Sequence, residues 1–540
     1  MDNLMLVAAS VAGVVSHLAI FRVGEHHMHG HRYLWNTILA FALSTIVQSR
    51  IFQFSGQIAA LRTLALAAAY FSGLYSSLCI FRVFFHPLKK FPGPLGSKVS
   101  SAWFSTHLTG KDAFRQIFKW HQKHGNFLRY GSNDLSIAHP GAVPIIYGLN
   151  SKCRKSDWYD LTNPMVSLHT TRDDALHSKR RRLWSAVFGD KHLRDYEGRM
   201  VRYRALLVKA IEDSDGLPID ISKWFNLYSF DVMGDLAFGH SFDMLKTNKE
   251  HHAIKLLNSG LAPLSFDLPA WMFRFLVAIP GAAKSWWGFL GYCNSQLDKR
   301  IQEKVEITDI MGGLLKPLKG QNPTGLDRAR LMGDVQLIVV AGSDTTTSTL
   351  TTVFRYLAQY PQHVERLRAE IDPLQRTEAG DYIYSDLSNL QHLNGVINEA
   401  LRLFPPVPTS LPRLTPPEGL HIDGTFIPGN TTVICPQYVI GRSPEAYSLP
   451  NEFIPERWYS QPELIHDRSG FAPFSMGPYG CVGRPLALVN IRATISRIVA
   501  DYDIQSIPVE SLVAYDEGMT EHFTLECPEL QLTFAKRPRP

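Results

Sequence analysis

The chain has few cysteines, a small net charge and no internal repeats. Its 540 residues include six cysteines, which lie far apart and form no CxxC pair. This spacing argues against a disulfide scaffold or a zinc site and favours a reducing compartment. The formal net charge is only +6 and the basic residues are scattered, so we expect no nucleic-acid partner. The length allows a large buried core.

Charge is missing altogether from three runs near the N-terminus: Asn3 to Phe21, Tyr33 to Ser49 and Thr63 to Phe81. A helix needs about 20 apolar residues to cross the hydrocarbon core of a membrane. The first and third runs are long enough and the second is marginal. Residues 1–85 are therefore predicted to form a membrane anchor with up to three transmembrane helices. No basic segment precedes the first run, so we expect no cleaved signal peptide.

A stretch with three prolines and two glycines, "FHPLKKFPGPLGS", follows the third run. Prolines restrict the backbone, so residues 86–98 are predicted to be a stiff, non-helical hinge. The remaining residues, 99–540, form the second predicted domain. The basic residues Arg82, Lys89 and Lys90, which follow the third run, favour a cytosolic position for this domain.

The second domain shows helical apolar spacing over much of its length. One helix is predicted to begin near Ser385, with apolar residues every three or four positions to Leu401. Another is predicted after Cys481, with Pro485 in its first turn. The segment "HIDGTFIPGNTTVICPQYVI" is rich in β-branched residues and contains Asp-Gly, which indicates a hairpin and a strand. The predicted fold class is mainly α with a minor β-sheet.

One cysteine is distinguished by its surroundings. In "FSMGPYGCVG", Cys481 lies among Gly477, Gly480 and Gly483, directly before the predicted helix. Amides at the start of a helix favour a thiolate, and glycines let the backbone come close to a sulfur or a flat ligand. From these residues alone, the loop could hold a nucleophile, a structural cysteine or an iron ligand.

This loop resembles the axial-ligand loop of the cytochrome P450 superfamily, the haem-thiolate monooxygenases, whose pattern is Phe-x-x-Gly-x-basic-x-Cys-x-Gly. The chain departs from it at one position, where Tyr479 replaces an Arg or His. The resemblance runs from about Phe85 to the end. It implies a cytochrome P450 fold after the transmembrane helices, haem b as cofactor, and Cys481 as the axial iron ligand. Tyr479 is then a candidate donor to a haem propionate.

Two charged segments occur in the order and spacing of the family. Glu399 and Arg402 of "EALR" are three positions apart and share a helix face, and "FIPERW" supplies Arg457. Taken alone, the first pair is typical of any solvated helix. The resemblance implies instead a buried structural triad of Glu399, Arg402 and Arg457, in which two guanidinium groups match one carboxylate.

The segment "VVAGSDTTTS" places Gly342 and three threonines inside an apolar helical pattern, where they lower helix propensity. One interpretation is a packing notch for a neighbouring helix. The resemblance implies another, a kinked helix that opens a groove over the haem. In that groove Thr345 contacts O2 and a water, and Asp344 relays protons from the surface. Asp344 and Thr345 are therefore the predicted catalytic residues.

Haem carries two propionates, which need cationic partners when they are buried. "HSKRRRLWSAVF" resembles the propionate-binding helix of the family, and the resemblance assigns His177 and Arg181 to this role. Arg413 occupies the position of another propionate-binding arginine. With Tyr479 uncharged, these three residues are predicted to hold the propionates. The remaining basic residues of the helix are expected on the surface: Lys179, Arg180 and Arg182.

The activity implied by the resemblance is insertion of one oxygen atom from O2 into a hydrophobic small molecule. No flavin or nicotinamide module fits in this length, so NADPH electrons are expected from a separate NADPH–cytochrome P450 reductase at the endoplasmic reticulum membrane. The sequence is similar to filamentous-fungal members of secondary metabolism that act on terpenoids or indole alkaloids. The alternative is a haem-thiolate isomerase or dehydratase, which needs no reductase; Asp344 and Thr345 argue for the monooxygenase.

Small and apolar residues are predicted to line the substrate pocket at Val339 to Ala341, at Val407 to Leu411 and near Met519 and Thr520. This lining suits a hydrophobic substrate. The aromatic stretch Leu261 to Leu290 is interpreted as a packed helix pair, and the resemblance implies that it also forms the mobile entrance that touches the membrane. A cysteine hydrolase is not expected, because no local histidine base accompanies the thiol.

Overall fold

The computed structural model describes residues 2–108, 110–302, 309–318, 325–409, 411–506 and 510–538. Helices dominate this part of the chain. Their bounds are α1 (Asp2–Ser16), α2 (Gly30–Arg50), α3 (Gly56–Ile80), α4 (Leu95–Val99), α5 (Ala102–Ser105), α6 (Ala113–His124), α7 (Ala142–Tyr147), α8 (Asp174–Val187), α9 (Asp190–Glu212), α10 (Ile221–Phe238), α11 (Met244–Thr247), α12 (His252–Leu261), α13 (Ala270–Ala278), α14 (Lys284–Gln302), α15 (Ile310–Leu315), α16 (Gly325–Gln359), α17 (Pro361–Ile371), α18 (Tyr384–Ser388), α19 (Gln391–Leu403), α20 (Gln437–Ile440), α21 (Arg484–Asp501) and α22 (Glu510–Gly518).

The strands in the described residues are short. Their bounds are β1 (Phe127–Arg129), β2 (Asp134–Ile137), β3 (Arg154–Lys155), β4 (Ile219–Asp220), β5 (Arg413–Leu414), β6 (Leu420–Ile422), β7 (Thr425–Ile427), β8 (Thr432–Ile434), β9 (Tyr502–Ser506), β10 (Thr520–His522), β11 (Thr524–Glu526) and β12 (Gln531–Lys536). β5 pairs antiparallel with both β3 and β8, and β12 pairs antiparallel with β4 and β9. The pairs β6–β7 and β10–β11 are hairpins. The predicted class, mainly α with minor sheet, is confirmed.

Contacts between residues divide the chain into two compact units. The first contains Met1–His107, Leu128–Leu135 and Leu268–Ala283, and the second contains Leu108–Phe127, Ser136–Asp267 and Lys284–Pro540. The predicted division into an anchor (1–85), a hinge (86–98) and a catalytic domain (99–540) concerns function as well as contacts, and it stays a prediction.

The first unit holds the apolar N-terminal helices. Asn3–Phe21 and Gly56–Phe85 are the helices that are long and apolar enough to cross a membrane among the described residues. α2 contains the second uncharged run but does not reach the hydropathy of a span. The structure therefore favours two spans over three.

The two candidate spans pack closely through glycines. A Cβ atom on Gly13 would lie 2.0 Å from the carbonyl oxygen of Tyr70, and a Cβ atom on Gly73 would lie 2.0 Å from that of Ser10. Only residues without a side chain allow two helix backbones to approach in this way. α1 and α3 therefore pack as a pair through direct backbone contact.

Two local predictions in the second unit are confirmed. α21 begins at Arg484 with Pro485 in its first turn, where the missing N–H of proline costs nothing. β6 and β7 are joined by Asp423 and Gly424, both with positive φ, which is the turn that Asp-Gly favours.

The prediction of one helix from Ser385 is wrong. The segment forms two helices, α18 and α19, with Leu390 in an extended conformation between them. The side chain of Glu370, from α17, accepts hydrogen bonds from the amides of His392 (2.8 Å) and Leu393 (3.1 Å). These bonds satisfy amides at the start of α19, so a neighbouring helix provides the cap.

The proline-rich hinge is also more helical than predicted. Pro87–Lys90 form a 3₁₀ turn, and α4 follows within the segment. Pro87 is the first residue of the 3₁₀ turn and Pro94 is the N-cap of α4, two positions at which a proline takes no hydrogen bond away from a helix. The expectation of a wholly non-helical hinge is therefore wrong.

Candidate active site

The loop before α21 presents Cys481. The Cys481 amide donates to the Phe474 carbonyl over 2.8 Å, and the Gly480 amide donates to the Gly477 carbonyl over 3.1 Å. Gly477 has φ +65°, and a Cβ atom there would lie 2.5 Å from the carbonyl oxygen of Tyr147. This position therefore requires glycine both for its backbone conformation and for its close neighbour.

The thiol of Cys481 is in an unusual environment. Cys481 is exposed, whereas the other five cysteines are buried or half-buried. Protein atoms nevertheless crowd its sulfur, and this burial raises the pKa of the thiol. The amides of Gly483 and Arg484 and the guanidinium of Arg181 act in the opposite direction without outweighing burial. The helix amides are thus placed as the sequence predicted, and a bound metal would deprotonate the thiol outright.

The predicted catalytic residues Asp344 and Thr345 lie on α16, which is continuous through this segment. The hydroxyl of Thr345 donates to the carbonyl of Ala341 over 2.8 Å, and such bonds bend a helix without breaking it. Ala341 is exposed and Thr345 is half-exposed, although Val340 and Ser343 beside them are buried. One small-residue face of α16 is therefore accessible inside a largely buried helix.

Gly342 has a packing role. A Cβ atom there would lie 2.5 Å from the Cε atom of Met233, which belongs to α10. Met233 thus packs into a notch at Gly342, as one of the two interpretations of this segment predicts. Of the predicted pocket residues, Val339 and Met519 are buried, and Ser410 lies outside the described residues.

Two buried cations face each other on neighbouring strands. Lys155 on β3 lies opposite Arg413 on β5. Lys155 donates to three backbone carbonyls of residues 168–171, at 2.7 to 3.3 Å. Burial, and then repulsion by Arg413, lower the pKa of Lys155 to about 7. Arg413 donates to the Tyr159 hydroxyl over 2.5 Å, but its buried Nε has no hydrogen-bond partner among the described residues. Like charges opposite each other destabilise a sheet, so this pair suits an anion.

Tyr479 lies beside the same two cations. Its ring is 4.8 Å from Lys155 Nζ and 5.0 Å from the Arg413 guanidinium, and the imidazole of His177 packs edge-on against it at 4.6 Å. The hydroxyl of Tyr479 donates to a carboxylate oxygen of Asp174. The phenol thus has a partner in Asp174 in this structure, and its bond to a haem propionate stays a prediction.

The other predicted propionate partners lie on α8. Burial, and then the charges of Lys155 and Arg181, lower the pKa of His177 to about 4, so its imidazole is neutral at pH 7 and contributes no charge. Arg181 donates to the carbonyl of Gly480, directly before the cysteine. Arg181 and Arg413 thus bring guanidinium groups to this region, and the contacts of all three residues with haem propionates stay a prediction.

Arg180 was expected on the surface, and this expectation is wrong. Its guanidinium pairs with the buried carboxylate of Asp334 on α16, which also accepts hydrogen bonds from the Leu168 amide (2.9 Å) and the Trp184 indole (3.2 Å). Lys179 and Arg182 are exposed as expected.

Glu399, Arg402 and Arg457 lie together, fully buried, in what is called here the Glu399 cluster. The carboxylate of Glu399 accepts hydrogen bonds from Arg402 at 2.7 and 2.9 Å and from Arg457 at 2.9 Å. The indole of Trp458 and the amide of Ile454 complete its shell, each at 2.9 Å. The remaining guanidinium nitrogens donate to backbone carbonyls. This satisfied ionic cluster holds the chain before the cysteine loop in one geometry.

These side chains fit the haem that the sequence implied. Cys481 offers a sulfur, Arg181 lies beside it, and Arg413 has a buried Nε that lacks a partner in the described part of the chain. A flat metal group with two carboxylates would supply what each of them needs. Lys155 and Asp174 were missed from the sequence. Their contacts with Arg413 and Tyr479 come from strand pairing and tertiary packing, and no local pattern marks them.

The aromatic stretch Leu261 to Leu290 contains α13, the start of α14 and a 3₁₀ turn, Ala262–Phe266. α13, in the first unit, exposes large apolar side chains: Trp271, Met272, Phe275 and Leu276. Within that unit it packs against α2. An apolar exposed face of this kind suits contact with a membrane.

Comparisons with known proteins agree with this site. The family model "Cytochrome P450" matches residues 94–534. Cytochrome P450 monooxygenase notG' of Aspergillus versicolor is 46% identical over 99% of this chain and 98% of its own length. Tryprostatin B 6-hydroxylase of Aspergillus fumigatus is 42% identical over 98% of this chain and 96% of its own length.

The fold is also found among solved structures. The cytochrome P450DA heme domain superposes with a TM-score of 0.67 at 18% identity, covering 80% of this chain and 95% of that one. At this identity the match supports the fold alone. The family is shown by the family model and by the two fungal relatives. The chain therefore belongs to the cytochrome P450 family of haem-thiolate monooxygenases.

Proposed function

We propose that this monooxygenase hydroxylates or epoxidises an apolar small molecule of fungal secondary metabolism, of the indole alkaloid or terpenoid class. The similarity to fungal proteins, one of them named a tryprostatin B 6-hydroxylase, supports this substrate class. The small apolar side chain of Ala341 on the accessible face of α16 agrees with it. The observation that carries the haem chemistry is the exposed Cys481 in its glycine-rich loop at the start of α21.

We assign Cys481 as the axial ligand and Arg413 and Arg181 as the cations for the haem propionates. His177, neutral at pH 7, contributes a hydrogen bond, and Tyr479 contributes its ring. When bound, haem supplies the activation of O2 and the oxidation of the substrate. The Glu399 cluster supports the site without contact with the reacting atoms.

Asp344 and Thr345 are the proposed catalytic residues. Activation of O2 consumes two protons in a pocket that must otherwise exclude water. The hydroxyl of Thr345 lies on the accessible face of α16 and can turn from the Ala341 carbonyl towards O2 and a water. Asp344, the preceding residue, hands protons to that water.

Electrons are proposed to come from NADPH through a separate NADPH–cytochrome P450 reductase. The apolar helices Asn3–Phe21 and Gly56–Phe85 and the exposed face of α13 support an anchor in a membrane. We place this anchor in the endoplasmic reticulum, with residues 99–540 in the cytosol and residues 86–98 as the hinge.

The test of this function is a spectrum followed by a turnover assay. Purified protein, reduced and exposed to CO, is expected to give the spectrum of a thiolate-ligated haem, and Cys481→Ala is expected to lose it. Cys293→Ala, a buried cysteine of α14, is the control and retains it. Incorporation of oxygen from ¹⁸O2 in the presence of NADPH and reductase then separates the monooxygenase from an isomerase or dehydratase. A Cys481→Ala protein with an unchanged spectrum would refute the assignment.

A further inference from the structure

A line of charged side chains connects Asp344 with the protein surface. Nε2 of His522 lies 3.8 Å from Oδ2 of Asp344, and Nδ1 of His522 lies 3.5 Å from Oε2 of Glu526. Glu526 also accepts a hydrogen bond from Lys111 Nζ over 2.8 Å. Asp344 and His522 are buried, while the Glu526 and Lys111 side chains are 46% and 38% exposed. The line thus starts in the interior and ends in solvent.

The carboxylate of Asp344 and the imidazole of His522 are the two inner groups of this line, and their polar atoms face each other. Oδ2 of Asp344 and Nε2 of His522 are both buried, and neither has a hydrogen-bond partner among the described residues. A buried polar atom without a partner costs free energy. A closure of about 1 Å would bring this pair to hydrogen-bond distance.

The hairpin β10–β11 holds His522 in place. Its turn residue, Phe523, has φ +86°, a strained conformation for a large side chain, and its ring stacks on Trp158 at 5.3 Å. The amide of Glu521 donates to the Lys111 carbonyl over 2.7 Å. The backbone on each side of His522 is therefore held in place.

The carboxylates determine the charge of His522. Burial alone would lower its pKa, but Asp344 on α16 and Glu526 on β11 outweigh burial and raise the pKa of His522 to about 9. The imidazole is therefore charged at pH 7. His522 and Lys111 hold the pKa of Glu526 well below its ordinary range against the effect of burial. Cys527, the next residue, stays neutral because burial raises the pKa of its thiol to about 12.

The other acid of the hairpin does not belong to this line. Glu521 faces away from His522, and its carboxylate accepts hydrogen bonds from the Phe114 amide (3.1 Å) and the Thr409 hydroxyl (2.7 Å). Burial raises the pKa of Glu521 to about 7.

We propose that His522 is the proton donor to Asp344, and that protons for O2 activation enter through the β10–β11 hairpin past Glu526 and Lys111. The proposal rests on the monooxygenase function stated above. His522 acts through Asp344 and is a positioning residue, whereas Asp344 serves the reacting atoms.

The proton transfer balances without an additional reagent. The N–H bond at Nε2 of the imidazolium breaks as an O–H bond forms at Oδ2 of Asp344. The ring is left neutral, with its remaining proton on Nδ1 towards Glu526. Asp344 passes its proton on and is a carboxylate again. The neutral ring then turns over so that its unprotonated nitrogen faces Glu526, and a proton from solvent adds there and returns the ring to imidazolium. No electron moves.

The test compares His522→Gln with His421→Gln in the holoenzyme. His421 is an exposed histidine of the other hairpin, β6–β7, and is the matched control. At pH 7, His522→Gln is expected to keep the reduced-CO spectrum but to lose about tenfold or more in product formed per NADPH. The excess NADPH is expected to appear as hydrogen peroxide, with a larger solvent deuterium isotope effect. His421→Gln is expected to match the wild type in each measurement.

A second readout does not depend on turnover. The pKa of His522 is higher in the folded protein than the value near 6.5 of a free histidine, so its pairing stabilises the fold below about pH 6.5. This stabilisation is lost as the pH rises through about 9. The melting temperature of the wild type, relative to that of His522→Gln, is therefore expected to fall over this interval. Glu526→Gln, which keeps the histidine, is expected to move the fall to lower pH.

Two results would overturn the proposal. His522→Gln with wild-type coupling and isotope effect would show a purely structural ion pair, even if the melting curves differ as expected. An unchanged pH dependence of melting in both variants would show that His522 is not charged at pH 7. A wild type that incorporates no ¹⁸O would instead refute the proposed function, and this outcome is recognised without either variant.

Discussion

The second unit contains two buried ionic clusters that differ in how their polar atoms are paired. In the Glu399 cluster the carboxylate accepts five hydrogen bonds, and every guanidinium nitrogen of Arg402 and Arg457 donates to a partner. In the Asp344 cluster, which comprises Asp344, His522 and Glu526, the two inner atoms face each other at 3.8 Å without a hydrogen bond.

This difference follows from what each cluster is suited to do. A satisfied cluster in a low-dielectric interior has one stable arrangement, and removal of any member leaves an unpaired charge. An incompletely paired cluster tolerates a change of protonation, because no full set of hydrogen bonds must be broken first. The first arrangement suits a scaffold, and the second suits proton transfer. The predictions below test this contrast.

The largest effect is expected from Glu399→Gln. Two buried guanidinium groups then lose the charge that balances them, and unfolding free energy is expected to fall by about 3–5 kcal/mol, with loss of haem. Denaturant unfolding and the reduced-CO spectrum measure this. Glu365→Gln is the matched control, because Glu365 pairs with Arg368 at the same three-residue spacing but its side chain is 71% exposed. Its cost is expected to be about 0–1 kcal/mol, and equal costs would contradict the contrast.

Thr345→Ala is expected to lower stability less than Glu399→Gln does, and to act mainly on the coupling of NADPH use to product formation. Haem content should stay unchanged, while product formed per NADPH should fall about tenfold or more with release of hydrogen peroxide. Thr349→Ala controls for the loss of a threonine from α16, since Thr349 donates to the Thr345 carbonyl over 2.7 Å in the same way. Tight coupling in Thr345→Ala would remove this residue from proton delivery.

The sequence predicts well what depends on neighbouring positions. The start of α21 at Pro485 and the Asp423–Gly424 turn follow from local backbone preferences, and the family pattern identifies the three members of the Glu399 cluster. The break between α18 and α19 was missed, because its cap, Glu370, comes from another helix.

Contacts made across the fold could not be predicted. Lys155 reaches Arg413 through the pairing of β3 with β5, which are more than 250 residues apart in the chain. His522 reaches Asp344 because a hairpin folds back against α16. No spacing in the sequence predicts the contact of Lys155 with Arg413 or that of His522 with Asp344, and both contacts change the electrostatics of the site. The charges were therefore visible in the sequence, but their partners were not.

The smallest effect is expected from Tyr479→Phe, which tests a pair between the two extremes. The hydroxyl of Tyr479 donates to Asp174 near the surface, so its loss should cost about 1 kcal/mol of unfolding free energy. The ring, which packs against His177, Lys155 and Arg413, is retained. Haem content and the position of the haem absorbance band are therefore expected to match those of the wild type. They are also expected to match those of the control Tyr360→Phe, since Tyr360 is a half-buried tyrosine after α16 that stacks on Phe453. A shifted band or lower haem content in Tyr479→Phe alone would show that the phenol binds a propionate once haem is present. The departure of this chain from the family pattern would then lie in the charge of the donor and not in its role.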